Sequence, residues 1–394
     1  MKSNSSKFYG YGKQTIEQED IETVVEVLKG DWLTQGPYVK KFEDALSEKF
    51  EAKYASAVAN GTAALHLTAL ALEWKKDDIV ITTPMTFLAS ANCILYAGAT
   101  PDFVDIDPIS YTIDIEKLEN RILNYKKEGL KVKAIVAVDY AGHPCDWKNL
   151  RKIANKYDIQ LVSDNCHALG AKLDGDIGYA NKYADVTVMS FHPVKHITSG
   201  EGGAVLTNNY DIFEKINLLK THGITKNEQY LSRNEGPWYY EMVELGFNYR
   251  ITDIQCALGA SQLKKLDGFV QKRNEIADFY NENFSDDNRF ICPHVANNVR
   301  HAYHLYPLQI KFEELGVSKR EFFAKMKKDR IGPQVHYIPV HLQPYYQKHF
   351  GFKKGDFPVS ESFYHNEVSI PMYPSLENDD LCHIVDAIKK VGKS

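Results

Sequence analysis

The sequence predicts an α/β protein with a mostly parallel sheet covered by helices, followed by a smaller C-terminal α+β domain. Three observations predict this class. Nearly continuous apolar segments of strand length alternate with amphipathic segments of helix length in the first part of the chain, which is typical of parallel strands buried on both faces. The pattern changes after about residue 255. The 394 residues are enough for more than one domain.

Periodicity places the individual elements along the chain. Helices are predicted at 16–28, 38–50, 62–72, 87–96 and 147–156. Strands are predicted at 54–58, 79–83, 103–106, 134–138, 160–163 and 186–190, with another after the glycine-rich turn at 200–203. The later part has a long helix at 253–284, helices at 319–328 and 378–390, and strands at 305–310 and 334–337. We predict a large domain at 1–255, whose segment 1–37 packs near a small domain at 256–394.

The composition argues against several classes of protein. Lys and Arg total 47 against 52 Asp and Glu, a net charge of −5, so nucleic acid is not an expected partner. We expect no membrane association, because no apolar run approaches the roughly 20 residues of a spanning helix. The polar start lacks the apolar segment of a signal peptide. The six cysteines have no CxxC spacing, and no histidine pair has a nearby third ligand, so we expect reduced thiols, no metal site and a cytoplasmic protein.

Three predicted strands end in residues that can carry chemistry, at the edge where open α/β sheets form their sites. Thr62 begins a helix whose free N–H groups suit a phosphate, although a simple N-capped helix explains it too. Asp164 ends a second strand, where it is alternatively a helix cap. Ser190 ends a third strand and Lys195 follows it, where Lys195 is alternatively a solvated loop residue. Together these residues form the set that pyridoxal 5′-phosphate requires: a phosphate cradle, an acid for the pyridine nitrogen and a lysine for the Schiff base.

A series of short motifs then runs in order along nearly the whole chain. They are Tyr11-Gly12-Lys13-Gln14, Leu33-Thr34-Gln35-Gly36-Pro37, Gly61-Thr62-Ala63-Ala64-Leu65, Thr83-Pro84-Met85-Thr86-Phe87, His167-Ala168-Leu169-Gly170, Ser190-Phe191-His192-Pro193-Val194-Lys195, Gly246-Phe247-Asn248-Tyr249-Arg250, Val335-His336-Tyr337-Ile338-Pro339 and Ile370-Pro371-Met372. With these motifs the chain resembles the nucleotide-sugar aminotransferases of the DegT/DnrJ/EryC1/StrS type. That family belongs to the fold-type I pyridoxal phosphate enzymes, which implies a seven-stranded sheet in the large domain.

The resemblance implies a role for each matching residue. Lys195 is the Schiff-base lysine and proton shuttle, and Asp164 pairs with the pyridine nitrogen. Phe87 stacks on the cofactor ring, and His167 lies near its hydroxyl. The phosphate is held by Thr62, Ala63 and Ser190, and by Asn248 from the neighbouring subunit, which implies a homodimer with shared active sites. One departure from the family is Asn165-Cys166, where many relatives have small apolar residues; we expect only a packing change there.

Finer resemblance points to the branch of the family that serves pseudaminic acid biosynthesis. It is carried by residues 190–198, 248–251, 334–337 and 363–369. It implies L-glutamate as amino donor and, as acceptor, a UDP-linked 4-keto-6-deoxy-N-acetylhexosamine aminated at C4. A UDP-sugar needs aromatic faces and hydrogen-bond donors or charge near its diphosphate. We therefore expect it between two groups of residues, Tyr11, Trp32 and Thr34 on one side and His336, Tyr337 and His341 on the other, although Trp32 and Tyr337 also suit a core.

Three alternatives remain open from the sequence. The substrate is alternatively another nucleotide-linked 4-keto-6-deoxy sugar, because epimers differ only in where their hydroxyls point. A sugar 3-dehydratase of the same fold has histidine in place of the Schiff-base lysine, and His196 directly follows Lys195. A third alternative is a non-catalytic regulator that binds the cofactor.

Overall fold

The computed structural model describes residues 7–392, so the first six residues of the predicted 1–37 segment lie outside the description. The helices are α1 (Gln18–Lys29), α2 (Pro37–Lys49), α3 (Gly61–Ala71), α4 (Leu88–Tyr96), α5 (Ile115–Lys127), α6 (Trp147–Tyr157), α7 (Tyr179–Tyr183), α8 (Tyr210–Leu219), α9 (Asp253–Leu263), α10 (Leu266–Phe284), α11 (Phe312–Leu315), α12 (Lys319–Lys328), α13 (Pro344–Phe350), α14 (Pro358–Asn366) and α15 (Asn378–Lys390). The strands are β1 (Tyr9–Gly10), β2 (Tyr54–Val58), β3 (Ile79–Thr82), β4 (Thr100–Phe103), β5 (Val132–Val138), β6 (Gln160–Asp164), β7 (Lys172–Leu173), β8 (Val186–Ser190), β9 (Gly203–Thr207), β10 (Ile224–Thr225), β11 (Glu241–Met242), β12 (Phe290–Ile291), β13 (Val299–Arg300), β14 (Tyr306–Ile310), β15 (Ile331–Gly332) and β16 (Glu367–Ile370).

A seven-stranded sheet in the order β2-β9-β8-β6-β5-β3-β4 organises the first part of the chain. The strands from β8 to β4 pair in parallel, and β9 runs antiparallel to both β8 and β2. The predicted mostly parallel sheet is therefore confirmed. Because the reversed strand β9 lies between β2 and β8, the carboxyl ends of β2 and β8 meet at the same edge of the sheet.

Alternating residues of the strands bury opposite faces of this sheet, as the two-residue period of a strand requires. Ile135 of β5 and Leu161 of β6 pack with α6, including Trp147. Their neighbours Val136 and Val162 pack on the other face, against α3, α4 and α8. The sheet is thus covered on both sides, which explains why its strands are nearly continuous apolar runs.

The later part of the chain packs around a three-stranded antiparallel sheet, β12-β14-β16. Its core includes Tyr306 and Ile384, with side chains of α10, α12 and α15. Strand β1 pairs in parallel with β15, so residues 9–10 lie against residues 331–332. Tyr9 also donates a hydrogen bond to Asp380 at 3.0 Å. The domain boundary at 255/256 stays a prediction.

Three predicted elements differ from the structure. The strand predicted at 103–106 is β4 at Thr100–Phe103; it contains Pro101, which an edge strand accommodates, and the buried Val104 lies beyond it. The strand predicted at 334–337 does not form, since only Gln334 bridges to Ser369. The helix predicted at 253–284 is two helices, because the N–H of Lys265 bonds to the carbonyl of Gln262, three residues back.

Residues 7–392 contain neither a membrane-spanning helix nor a cluster of side chains that could bind a metal ion. No helix there combines the length and apolar character needed to cross a membrane. Nor do three or more His, Cys, Asp or Glu side chains converge in that range in a way that could hold a metal ion.

Candidate active site

A cavity of about 660 Å³ opens where the carboxyl ends of β2, β6 and β8 meet. Nine of the residues singled out from the sequence line it: Tyr11, Thr62, Phe87, Asp164, His167, Ser190, Lys195, His336 and Tyr337. A larger hollow of about 860 Å³ lies at the amino ends of β6 and β8, around Arg151 and Asp185, and contains none of them. The chemistry of the lining residues, rather than the volume, therefore identifies the candidate site.

The start of α3 forms the floor of a small cradle in this cavity. The side chain of Asn60 caps α3 by accepting a hydrogen bond from the N–H of Ala63 at 2.8 Å. Gly61 lies so close to β8 that an added Cβ would be 3.0 Å from Ser190 Cβ. A helix N-terminus with an adjacent hydroxyl favours an anion. Thr62 and Ser190 both line the cavity at this cradle, whereas the amide of Ala63 already has a partner.

Asp164 is held in one orientation at the end of β6. Its Oδ2 accepts a hydrogen bond from Ser90 Oγ at 2.6 Å, and its Oδ1 accepts one from the N–H of Cys166 at 3.2 Å. The side chain is buried but lines the cavity. Ser90 was missed from the sequence, because a serine one turn after Thr86 within a helix has no distinguishing pattern.

Lys195 extends into the cavity from the loop after β8. Its Nζ lies 3.3 Å from His304 Nε2. Within residues 7–392, no acidic side chain forms an ion pair with it. Burial lowers the pKa of Lys195, and the nearby Cys166 and Asp164 partly oppose this shift. The structure thus favours a neutral amine here more than water does.

His304 is a second site residue that the sequence did not reveal. It lies before β14, and its ring centroid is 4.4 Å from that of His167. Burial and the charge of Lys195 hold the pKa of His304 well below its usual value. The sequence offers only its spacing from His301, one of the histidine pairs that lack a nearby third metal ligand.

His167 is a neutral histidine fixed by two contacts. Its Nδ1 accepts a hydrogen bond from the N–H of Ala141 at 3.3 Å, so Nε2 carries the hydrogen and lies 3.0 Å from the hydroxyl of Tyr337. Burial and Lys195 hold the pKa of His167 well below its usual value.

Three aromatic rings form the wall opposite the sheet. Phe87, the residue before α4, is 55% exposed, and its ring centroid is 5.9 Å from that of Tyr337. The ring of Tyr11 lies 4.7 Å from that of His336. An exposed phenyl ring in a cavity offers a face on which a planar ligand can stack.

Two properties are expected of His336 from the sequence. It can donate a hydrogen bond near a diphosphate, or it can carry charge there. Burial and Lys195 lower the pKa of His336 to about 3, so the imidazole is neutral at neutral pH. It offers hydrogen bonding rather than charge.

Besides Ala63, four predicted residues do not line the cavity in this chain. His341 is buried, and its Nε2 lies 3.0 Å from Glu361 Oε1, so its predicted contact with substrate does not form here. Trp32 is 59% exposed and packs over Gly36, while Thr34 bridges to Thr252. Asn248 is exposed and bridges to Thr221.

His196, the residue that raised the dehydratase alternative, also lies outside the cavity. Its Nε2 lies 3.0 Å from the carbonyl oxygen of Ala302, and the side chain is buried. Lys195, not His196, is the side chain presented to the cradle and to Asp164.

The chain is similar to known proteins along nearly its whole length. The model of the DegT/DnrJ/EryC1/StrS aminotransferase family matches residues 14–389. A Campylobacter jejuni serotype O:2 protein named UDP-4-amino-4,6-dideoxy-N-acetyl-beta-L-altrosamine transaminase is 40% identical over 387 residues, covering 96% of this chain and 98% of the relative. Helicobacter pylori PseC, described as an aminotransferase involved in the biosynthesis of pseudoaminic acid, aligns with a TM-score of 0.87 and 33% identity over 98% of this chain and 100% of that one. The PLP-form of the putative sugar aminotransferase Spr1654 from Streptococcus pneumoniae aligns with a TM-score of 0.87 and 29% identity over 98% and 99%.

Proposed function

The chain belongs to the DegT/DnrJ/EryC1/StrS aminotransferase family and is a sugar-nucleotide aminotransferase, and we propose which transfer it performs. The amino group passes from L-glutamate to C4 of a UDP-linked 4-keto-6-deoxy-N-acetylhexosamine. The product is UDP-4-amino-4,6-dideoxy-N-acetyl-β-L-altrosamine, which enters pseudaminic acid biosynthesis. The observation that carries the proposal is the 40% identity, across 96% of the chain, to a relative named for that reaction.

The cofactor is pyridoxal 5′-phosphate, and the residues of the cavity fit it. The approach of Gly61 to Ser190 leaves a cradle that an added Cβ would fill, at the positive end of α3, where a phosphate is stabilised. Asp164 is a fixed carboxylate suited to a ring nitrogen, and the exposed face of Phe87 suits the ring itself. When bound, this cofactor supplies an electron-accepting ring and a carbon that carries nitrogen between the two substrates.

Lys195 and Asp164 divide the proton chemistry of the site. An amine must be neutral to act as a nucleophile or base, and burial favours that form of Lys195. Lys195 Nζ is the attachment point of the cofactor and afterwards moves a proton to and from the substrate carbon as general base and acid. Asp164 holds a proton on the ring nitrogen of the cofactor, which keeps the ring electron-poor.

We propose that the enzyme is a homodimer with shared active sites. The hairpin formed by β10, β11 and their connection, residues 224–242, and the residues directly after it expose large apolar side chains, of which Trp238 is 70% and Leu245 is 75% exposed. Clustered exposed apolar residues are typical of a protein interface. Asn248 follows this hairpin and is exposed, so it is available to a second copy and its phosphate. We place the reaction in the cytoplasm, where thiols stay reduced, because all six cysteines are free.

The test is a direct identification of the product. Purified protein is incubated with L-glutamate and, separately, with UDP- and dTDP-linked 4-keto-6-deoxy sugars, and each product is identified by NMR. We expect C4 amination of the UDP-linked N-acetylhexosamine in preference to the others. Preferential amination of a dTDP-linked sugar would overturn the substrate assignment and leave the aminotransferase assignment standing.

A further inference from the structure

Two buried side chains behind His336 form a chain of hydrogen bonds that ends in the cavity. His336 Nδ1 lies 2.9 Å from Ser369 Oγ, and Ser369 Oγ lies 2.5 Å from Glu367 Oε1. The backbone N–H of His336 donates to Glu367 Oε2 at 2.9 Å. Ser369 and Glu367 are both 0% exposed. The sequence analysis gave a role to His336 only; Glu367 and Ser369 lie in the 363–369 stretch that carries the resemblance, but no role was predicted for them.

The strand β16 brings the two side chains to one place. Glu367 and Ser369 are two residues apart on this strand, so they point to the same face. Gln334 exchanges backbone hydrogen bonds with Ser369, at 3.0 and 2.8 Å, which fixes the segment leading to His336 against β16. The geometry is therefore held by strand and backbone contacts rather than by the side chains themselves.

The chain of hydrogen bonds has two arrangements, because a hydroxyl has a single hydrogen to donate. When Glu367 is ionised, Ser369 donates to it, His336 Nδ1 carries a hydrogen and donates to Ser369, and Nε2 is an acceptor. When Glu367 is protonated, it donates to Ser369, Ser369 donates to Nδ1, and Nε2 carries the hydrogen. The protonation state of Glu367, which lies outside the cavity, thus decides whether His336 is a hydrogen-bond donor or an acceptor inside the cavity.

We propose that Glu367 and Ser369 are positioning residues that set His336 as a hydrogen-bond donor or acceptor toward the sugar substrate. When a proton is delivered to His336, these two residues take up the proton that His336 releases. In the uptake step an N–H bond forms at Nε2 and the N–H bond at Nδ1 breaks. The Nδ1 proton passes to Ser369 Oγ, and the hydroxyl proton of Ser369 passes to Glu367 Oε1. The imidazole stays neutral throughout, which matters because the nearby charge of Lys195 opposes an imidazolium.

The surroundings of Glu367 support the two states. Burial raises the pKa of this carboxyl to about 8, although the hydrogen bonds from Ser369 and from the N–H of His336, and the nearby Lys319, act in the opposite direction. Burial in turn lowers the pKa of Lys319 to about 8, opposed by Glu367, and Lys319 Nζ donates to the carbonyl oxygen of Tyr364 at 2.6 Å. Among the described residues, Tyr140, Tyr337, Lys195 and His167 also interact electrostatically with Glu367 or His336. A raised pKa means that the donor state of His336 prevails at neutral pH and the acceptor state above the pKa of Glu367.

The test reads the hydrogen position on His336 directly. Holoenzyme labelled with ¹⁵N-histidine is titrated from about pH 6 to about pH 10 by NMR, and the His336 signals are assigned by their loss in His336→Gln. We expect hydrogen on Nε2 at the acid end and on Nδ1 at the alkaline end. In Glu367→Gln the amide donates to Ser369 at every pH, so the hydrogen stays on Nε2. An unchanged His336 tautomer in the unmutated protein, or a switch that persists in Glu367→Gln, overturns the proposal.

A matched control comes from the other buried histidine–carboxylate pair of this region. Glu361 accepts from His341, outside the cavity, and Glu361→Gln should leave the His336 titration unchanged. If Glu367→Gln fails to fold, the titration of the unmutated protein still decides. The proposal rests on the proposed function only for the identity of the sugar: the NMR titration needs no turnover, so a different product in the substrate test would not affect it.

Discussion

At Lys195, the structure uses burial rather than an ion pair to favour a reactive amine. The neighbours within reach of Nζ are a neutral histidine and, more distantly, the thiol and carboxylate at the end of β6. A lowered pKa raises the neutral fraction at neutral pH, since the charged form is the one that burial disfavours. Burial also lowers the pKa of Lys319, to about 8, but Lys319 does not line the cavity, so burial and position together support the sequence-based choice of Lys195.

The first prediction concerns the attachment of the cofactor. Borohydride reduction of the protein loaded with pyridoxal phosphate should fix the cofactor to Lys195, and peptide mass mapping should locate it there. Lys195→Ala should fold and take up no covalent label, with turnover reduced at least about 10³-fold. Lys148→Ala, which removes an exposed lysine paired with Asp174, should label normally. Label on another lysine of the unmutated protein would contradict the assignment.

The second prediction separates the two substrates at Tyr11. Tyr11 lines the cavity, and its ring lies beside that of His336. Tyr11→Ala should raise the apparent KM for the keto-sugar about tenfold, the size expected for one lost aromatic contact, and leave the glutamate half-reaction nearly unchanged. The two half-reactions are measured separately by the absorbance of the cofactor. Equal losses in both would mean that Tyr11 supports the fold or the cofactor instead.

The site residues that lie at the end of a strand, or just after it, could be predicted from the sequence. Asp164 and Ser190 end β6 and β8, and Lys195 lies just beyond, so local pattern brought them together. His304 reaches the same cavity, and the buried Ser90 reaches Asp164, from segments with no local signal. Placement of His341 failed because the sequence cannot tell a histidine facing a ligand from one paired to a buried carboxylate.

At the scale of elements, the helices and central strands followed from periodicity, and the two wrong strand predictions share one cause. Val104 is buried like a strand residue but lies outside the ladder, and His336 is buried in an irregular segment. Burial produces the apolar pattern in the sequence, whereas backbone hydrogen bonding defines a strand. Only the structure shows which buried residues lie outside a strand.

The third prediction tests the cradle at the start of α3. Gly61→Ala adds a methyl group 3.0 Å from Ser190 Cβ, and overpacking of about 1–3 kcal/mol should lower cofactor affinity about tenfold or more. Fluorescence titration of the apoprotein with pyridoxal phosphate measures this. Gly268→Ala is the control, because its added methyl meets nothing within 4 Å in α10 and should stabilise the helix by about 0.5–1 kcal/mol. Normal affinity in Gly61→Ala would show that the phosphate lies elsewhere.

At the scale of the whole molecule, the fourth prediction tests whether two chains build each site. Asn248→Ala and Lys195→Ala proteins should each be nearly inactive as homodimers. After subunit exchange, a mixed dimer has one site with both defects and one with neither, so about a quarter of the unmutated activity should return. Mass spectrometry of differently labelled subunits confirms the exchange. Exchange without recovery would mean that each site is complete within one chain.

The position of β2 at the edge of the large sheet has a consequence for how the protein is made. Within that sheet β2 is hydrogen-bonded to β9 alone. Residues 54–58 therefore cannot join the sheet until residues 203–207 have been synthesised and have paired with them. A nascent chain that has left the ribosome only as far as β8 has both halves of the cradle, and α3 can pack on the sheet, yet the strand that lies between β2 and β8 is missing. Contacts this distant in sequence form late in folding. We therefore expect the cradle to be completed only once β9 has been made, and translation products that stop before Gly203 should not retain pyridoxal phosphate.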